Sequence, residues 1–500
     1  MIAETVASLF DTAARDNIEV LDIGAGTSLL ATQKKIDALE LSIGMLNLSR
    51  KRNLYRNYYN CYLTNDAIPD VKDGKVVITR RANYGEPEYE QSIRTVMEEL
   101  EVHGKWKKTL EIPVPNYCFD NNYIESCSGT VHIFSAVAQA KKDLSLIEFI
   151  VLNVLDGSIN SNCDCCIYGD NELYVHRVNA IVKETYTQNS KFIIYIAKQY
   201  QCSVQQIHFK MKKIQLVGNI ESCNFSHSVH SVIYPAVKEN EFAICTKIAY
   251  NYLNPLHLIE WFEYQKMMSV DTVLISLQNI NEDAYTVFRY YEREGIAKLI
   301  SFPSKLPGEI DRGFEMHRWH YHQSTHDEQV AVYSCKEILQ GFAFVAVVDF
   351  DEFIVHPRFL AYPDILVSEL LPLYPDAAAF TLNASFFITD WGVSGVAPLL
   401  TSKYIRRSNP LFHRFKNIYL PNRTDTMDTH TAWPREGYRR ILLRSHNVLL
   451  HHYRKCKRSD NISDECVTFS RNTDTKMIKI MPSLYEKVVP VTRRCGLPFG

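Results

Sequence analysis

From Glu241 onward the chain alternates short apolar runs with amphipathic ones, and few architectures accept that rhythm. "EFAICTKIA" reads as a strand, "PLHLIEWFEYQKMMSV" as a helix with Leu256, Ile259, Phe262 and Met267 at helical spacing, and "DTVLISLQ" as the next strand. "EDAYTVFRYYEREG" follows as a helix that Gly295 closes, then "IAKLISFP" as a strand and "HDEQVAVYSCKEILQG" as a helix ending at a glycine. Apolar strands separated by helices predict an α/β fold, a mixed and mostly parallel sheet lying between helices.

The next strand raises a question of charge. "FAFVAVVDFDEFI" (Phe342–Ile354) runs straight from apolar residues into Asp349, Asp351 and Glu352. Carboxylates this close repel one another, and without a counter-charge the cluster is expected to be self-repelling. In a parallel-type sheet, ligands sit beyond the carboxyl ends of the strands, which is where these residues fall. A divalent cation would neutralise them, and hard oxygen donors suit Mn²⁺ or Mg²⁺. Such a cation can bridge a diphosphate and stabilise its departure. The plain alternative is a solvated strand end. Further on, "LLHHYR" is an apolar strand that presents His451 and His452.

With 500 residues the chain is long enough for several domains. Its net charge of −2 argues against nucleic acid or an anionic membrane surface as partner. Of thirteen cysteines, all but Cys61 lie beyond residue 100, a distribution that fits disulfides in an oxidising compartment. Cys163, Cys165 and Cys166 form a tight group, for which a metal knuckle is the rival reading. Sequons occur at Asn47, Asn224, Asn383, Asn422 and Asn461. The opening "MIAETVASLFDTAARDN" lacks the basic and apolar regions of a signal peptide, and no apolar run reaches the ~18 residues of a membrane span.

The front of the chain has another character. "IEVLDIGAGTSLLA" (Ile18–Ala31) is a strand, a glycine turn and a helix start, and "IDALELSIGMLNLSRKRNLY" adds a second strand and an amphipathic helix. Gly24 and Gly26 would let the backbone approach a nucleoside ligand, and Glu40 would meet ribose hydroxyls. Over residues 1–75 this resembles class I S-adenosylmethionine-dependent methyltransferases, in particular the methyltransferase-like proteins of the Williams–Beuren region. Ser28 stands where a third glycine is usual, Glu40 replaces the usual aspartate, and the later strands of that sheet are missing. Two strands cannot bury both faces of a parallel sheet. The resemblance therefore implies a partial Rossmann-like fragment whose S-adenosylmethionine site is a relic. Residues 76–235 read as a mainly β accessory or stem module, with strand-like runs "GKVVITRR", "KTLEIPVP", "GTVHIFSAVAQ", "LIEFIVLNVL", "KFIIYIA" and "QIHFKM".

The pieces "ICTKIAYNYLNPLHLIEWFEY", "YYEREGIAKLI", "DEQVAVYSCKE", "VAVVDFDEFIVHP", "DWGVSG", "KYIRRS" and "LLHHYR" resemble, in order, glycosyltransferase family 92, the former domain of unknown function 23, within about residues 125–455. The resemblance implies a GT-A nucleotide-sugar-binding domain over 236–470, followed by a tail over 471–500. It implies an inverting, Mn²⁺-dependent hexosyltransferase that moves galactose from UDP-galactose to a glycan or glycoprotein acceptor at the Golgi membrane, although no anchor is visible here. Carried over, Asp349 serves both ribose and metal, Asp351 ligates the metal directly, and His452 is a further ligand, preferred over His451 and His430. Lys247, Lys416 and Arg454 are candidates for the UDP-sugar. Asp390 in "ITDWGVSG" is the candidate base, with Glu436 as its rival, and Trp391 is available to stack on a sugar. Glu352 is expected to hold the loop, and Cys456 and Cys466 to form a local bridge.

Overall fold

The computed structural model describes four strands before residue 80, and then residues 125–498 except 128–130, 141–146, 158–161, 170–174, 188–194, 226–228, 303–317, 396–397 and 457–464. The chain divides into two compact units, Met1–Asp120 and Asn121–Gly500.

In the first unit β1 (Ile18–Ile23), β2 (Ile36–Leu39), β3 (Tyr55–Tyr59) and β4 (Lys75–Thr79) form one sheet in the order β3-β2-β1-β4. Every pairing in it is parallel. The run "GKVVITRR" was expected in the following β module. Its strand β4 instead lies beside β1, with Ile18 against Lys75 and Asp22 against Thr79. Parallel partners are joined by long crossovers, so no local turn announces them in the sequence. Gly24, Gly26 and Glu40 lie outside the described residues.

The second unit begins with β5 (Glu125–Ser126), β6 (Val131–Ala140), β7 (Ile147–Asp156), β8 (Cys163–Tyr168), β9 (Val175–Thr185), β10 (Ile196–Ser203), β11 (Lys213–Gly218) and β12 (His230–Ile233). Their order is β12-β11-β8-β9-β10-β7-β6-β5, and β12 also pairs with β6, so the sheet closes on itself. "QIHFKM" is not among these strands, because the chain turns there and pairing starts at Lys213. The interior holds Val131, Ile150, Leu152, Tyr200, Ile214 and Leu216. Three disulfides staple it: Cys127–Cys163, Cys165–Cys202 and Cys166–Cys223. The tight cysteine group is thus fully consumed by cross-links, and the metal-knuckle reading falls.

The α/β part follows in the same unit. β13 (Lys238–Asn251), α1 (Pro255–Met267), β14 (Thr272–Ile280), α2 (Glu282–Arg293), β15 (Ala297–Ser301), α3 (Arg318–Ile338) and β16 (Phe342–Val347) alternate as expected. Asn254 caps α1 by accepting from the Leu256 and His257 amides, with Pro255 in the first turn. After β16 come β17 (Glu352–Val355), β18 (Ala377–Ile388), β19 (Arg406–Arg407), β20 (Leu411–Tyr419), β21 (Thr424–Met427), β22 (Ala432–Pro434), β23 (Arg439–Leu442), β24 (Leu449–Arg454), β25 (Asn472–Thr473) and α4 (Met481–Arg494). The large sheet runs β15-β14-β13-β16-β20-β18-β19-β25. Its first four strands pair in parallel, β20 is antiparallel to β16 and β18, and the short β17 pairs with β24. Asn383, one of the sequons, is buried in β18 and unfit for glycosylation in this fold. Among the described residues no helix is long and apolar enough to cross a membrane.

Helix α3 joins the closed β sheet to the α/β sheet. Its Glu337 is fully buried and accepts from Lys183 Nζ at 2.8 Å and Gln139 Nε2 at 2.9 Å, with Lys336 Nζ at 3.5 Å. Burial alone would raise this carboxyl, but Lys336 and Lys183 pull it down to about 2. We predict that Glu337→Ala costs about 3–5 kcal/mol in urea unfolding, because it strands the buried Lys336 ammonium. A loss below about 1 kcal/mol would mean that the network is not holding the two sheets together. The folded group titrates low. Its contribution is therefore full above the unfolded value of about 4.3 and disappears as pH falls toward the folded one.

Two further disulfides, Cys245–Cys335 and Cys456–Cys466, fall in the α/β part, and Cys495 is a free thiol. Non-reducing peptide mapping should recover all five pairs and a thiol label on Cys495. Alkylation of most of those ten cysteines without reductant would refute the pairing.

Candidate functional site

The turn between β16 and β17 carries Asp349 and Asp351, two aspartates spaced D-x-D. Phe350 between them points into an aromatic nest, 5.1 Å from the Trp261 ring and 5.2 Å from Phe288. Anchoring the middle residue leaves the two aspartates to face elsewhere. Glu352, first in β17, is buried, and its Oε2 accepts the Asp349 amide at 2.8 Å. It holds the loop, as expected. Trp261 Nε1 and Tyr264 Oη, both on α1, donate to the carbonyls of Glu352 and Ile354 and back the strand.

Three other strands bring cations. Lys416 on β20 is buried, with its Nζ 3.0 Å from Asp349 Oδ2 and 3.4 Å from Glu352 Oε2. Lys247 sits where β13 slips register, at φ 58°, in the left-handed region that non-glycine residues seldom occupy. That bulge aims its Nζ to 3.1 Å from Asp349 Oδ1 and 3.3 Å from Glu328 Oε2 on α3. β24 pairs with β17 so that His452 lies opposite Glu352. Its Nε2 is 3.3 Å from Asp351 Oδ2, and its Nδ1 is 3.3 Å from Glu352 Oε1.

The electrostatics follow from these distances. Desolvation works against Asp349, yet Lys247 and Lys416 hold its carboxyl far below the usual carboxylate range. Glu352 is pushed up, chiefly by burial. Burial opposes the charged form of His452, but Asp351 and Glu352 outweigh it and raise its basicity. The expected self-repelling cluster is therefore not what the fold contains. Two buried lysines and an imidazole supply positive charge that no reading of residues 344–357 alone could include.

The donor set decides how a cation would fit. Asp351 Oδ2 and His452 Nε2 converge, and Asp351 is the exposed member of the cluster. Both oxygens of Asp349 already meet ammonium groups. Among the described residues, the ligand atoms of Asp349, Asp351 and His452 do not gather within 4.8 Å of one another. Asp351 and His452 are therefore disposed to hold a divalent cation together, whereas both oxygens of Asp349, the third expected ligand, rest on lysine ammonium groups.

The other candidates are dispersed. Arg454 shares the His452 face of β24, lies 4.2 Å above the Phe386 ring and pairs with Glu465 at 2.8 Å. Asp390 is at the same sheet end, but its Oδ2 accepts the Cys456 amide at 2.7 Å beside the Cys456–Cys466 bridge. Trp391 is buried and donates to the Cys466 carbonyl, so it is a core residue, not a free sugar platform. Glu436 is exposed in the turn before β23, which meets β18 at Ala377, whereas His452 meets it at Phe386. Nine residues of strand, roughly 30 Å, separate those two registers. His430 has its Nδ1 at the Phe415 carbonyl, and burial lowers it to about 4. His451 faces the core and burial lowers it to about 3.

Sequence reasoning missed Glu328, His257 and Lys403. Glu328 stands in the quoted "DEQ" and Lys403 in "KYIRRS", but only the fold shows what they face. Burial and then Lys403 lower His257 to about 4, against the opposing pull of Asp351. Glu260 on α1 fixes the segment carrying Lys403 by accepting from the Leu400 and Thr401 amides and from Thr401 Oγ1. Burial pushes this carboxyl up to about 7.

Comparison with known proteins bears on this same stretch. Residues 240–488 match the profile of glycosyltransferase family 92. That match includes Lys247, Asp349, Asp351, Lys416 and His452, and it begins after the methyltransferase-like segment, whose resemblance it leaves without support. No curated protein matches the chain. Among solved structures, a mycobacterial protein aligns at 11% identity over 52% of this chain and 76% of its own, with a TM-score of 0.20. A UDP-glucose pyrophosphorylase from Acinetobacter baumanii aligns at 9% identity over 51% and 93%, with a TM-score of 0.18. Scores this low bear on neither fold nor function.

We predict that Lys416→Met destabilises the protein by about 3–5 kcal/mol, since it leaves the buried Glu352 carboxylate under-compensated. Urea denaturation checks this, and an unchanged midpoint would contradict the assignment of Lys416 as the central counter-charge.

Proposed function

We propose that residues 240–488 form a GT-A-type glycosyltransferase domain that moves a hexose from a nucleotide sugar to a glycan acceptor with inversion. The observation that carries this reading is the Asp351–His452 pair beside two buried lysines at the carboxyl end of parallel strands, inside the family-matched segment. UDP-galactose as donor and a secretory or Golgi setting rest on the family resemblance, and the five disulfides agree with an oxidising compartment.

When bound, Mn²⁺ or Mg²⁺ would supply Lewis-acid stabilisation of the departing diphosphate. Asp351 and His452 would hold that cation. Lys247 and Lys416 fix Asp349 against the turn, where its carboxylate orients the nucleotide rather than ligating directly. Arg454, beside His452, is placed to add positive charge to the diphosphate. An inverting transfer asks for a carboxylate that takes the acceptor proton. Asp390 shares the sheet end with Asp351 and is the candidate for that role, whereas Glu436 lies at the other end of β18.

Calorimetry with UDP should show binding with Mn²⁺ that a chelator largely abolishes. Asp351→Asn should lower transfer about 100-fold or more, while thermal melting changes little because Glu352 still faces His452. Metal-independent UDP affinity, or full transfer by Asp351→Asn, would sink the reading.

A further inference from the structure

A cavity of about 220 Å³ opens between the closed β sheet and the α/β part. Its walls include Glu184 and Tyr186 at the end of β9, Gln329 and Tyr333 on α3, and Asp428 and Trp433 on the β21–β22 hairpin. We infer that this cavity is an acceptor subsite that takes one sugar ring of a glycan.

The lining suits that ligand. Trp433 is 42% exposed, so its ring offers a flat apolar face to the C–H side of a pyranose, while Tyr186 and Tyr333 add aromatic edges. The Glu184 carboxylate would accept from a sugar hydroxyl, whereas Asp428 is buried and shapes its wall by accepting the His430 and Thr431 amides. Gln329 is almost wholly buried; its Nε2 donates to the Met427 carbonyl at 2.7 Å, and its side chain also hydrogen-bonds Tyr333, so the two form one polar wall of the cavity. The volume lies below the roughly 300–1,000 Å³ of drug-sized pockets, which favours a single ring over an oligosaccharide.

The cavity is also in the right place. Gln329 follows Glu328, which pairs with the Lys247 that holds Asp349. On the opposite wall the 428–431 loop is tied down by Asn417, whose Nδ2 donates to the His430 carbonyl at 2.6 Å, and Asn417 follows Lys416. The 428–431 loop lies near enough to the ion cluster that Lys416, Lys247 and Asp349 all act electrostatically on His430. The β module supplies part of the wall, which gives it a role in acceptor choice and not only in support.

This inference deepens the transferase reading and rests on it. The test is binding of the full-length protein to an array of N-linked, O-linked and glycolipid oligosaccharides, alongside UDP calorimetry on the unaltered protein. We expect a subset of glycans to bind, and Trp433→Ala and Glu184→Gln each to reduce that signal at least ten-fold without a change in melting temperature. A signal that survives both substitutions overturns the subsite, and so does the absence of any glycan signal. If UDP does not bind but the array signal depends on Trp433, the transferase reading falls and the cavity stands as a glycan-binding site.

Discussion

The site depends on one constraint: the buried ammonium groups of Lys247 and Lys416 need a carboxylate partner, and both find it in Asp349 at the strand end. Lys247 and Lys416 meet its two oxygens, and they arrive on β13 and β20, the two strands that flank β16. Breaking such a pair costs far more than forming it gains. The cluster therefore acts less as a source of stability than as a lock on register. A one-residue slip of β20 would turn Lys416 to the other face, and Asp349 and Glu352 would lose their shared cation.

The same lock explains the strained backbone at Lys247. A non-glycine residue at positive φ is uncommon and costs on the order of 1–2 kcal/mol. Cys245, two residues earlier, is cross-linked to Cys335 on α3, and Glu328 on that helix pairs with the lysine itself. The strand is held before and at the bulge by the same helix, so the strain persists and the ammonium stays aimed at the turn.

How far the sequence disclosed this depended on the range of each interaction. The β/α alternation and the D-x-D strand end were legible because they are periodic and local. His452 was singled out by resemblance, and the sequence does not disclose the β17–β24 pairing that sets it opposite Glu352. What stayed hidden was pairing between distant positions. The sequence shows three carboxylates within four positions but not Lys416, which lies 67 positions from Asp349. β4 looked like part of the middle module because a parallel partner leaves no turn to read. Asp390 looked available because nothing nearby in sequence reveals the Cys456 amide that it accepts. Glu436 looked near because two β18 contacts, at Ala377 and at Phe386, cannot be told apart without register.

Helix α3 then links the parts into one mechanism of assembly. Along a single helix, His326 accepts from the Ala197 amide of β10, and Ser334 accepts from Ser135 of β6. Glu328 reaches the ion cluster, Gln329 holds the Met427 carbonyl, Cys335 bridges to β13, and Glu337 gathers Lys183 from β9. Residues three or four apart on a helix share a face, so the turns of α3 serve the β module and the α/β sheet in alternation. Shifting this helix would move Lys247, the Gln329 wall and the β9 strand together. The closed β sheet is therefore not an independent appendage. Its position and the geometry around Asp349 are set by the same element, and a substitution in the β module that tilts α3 will be felt at the aspartates.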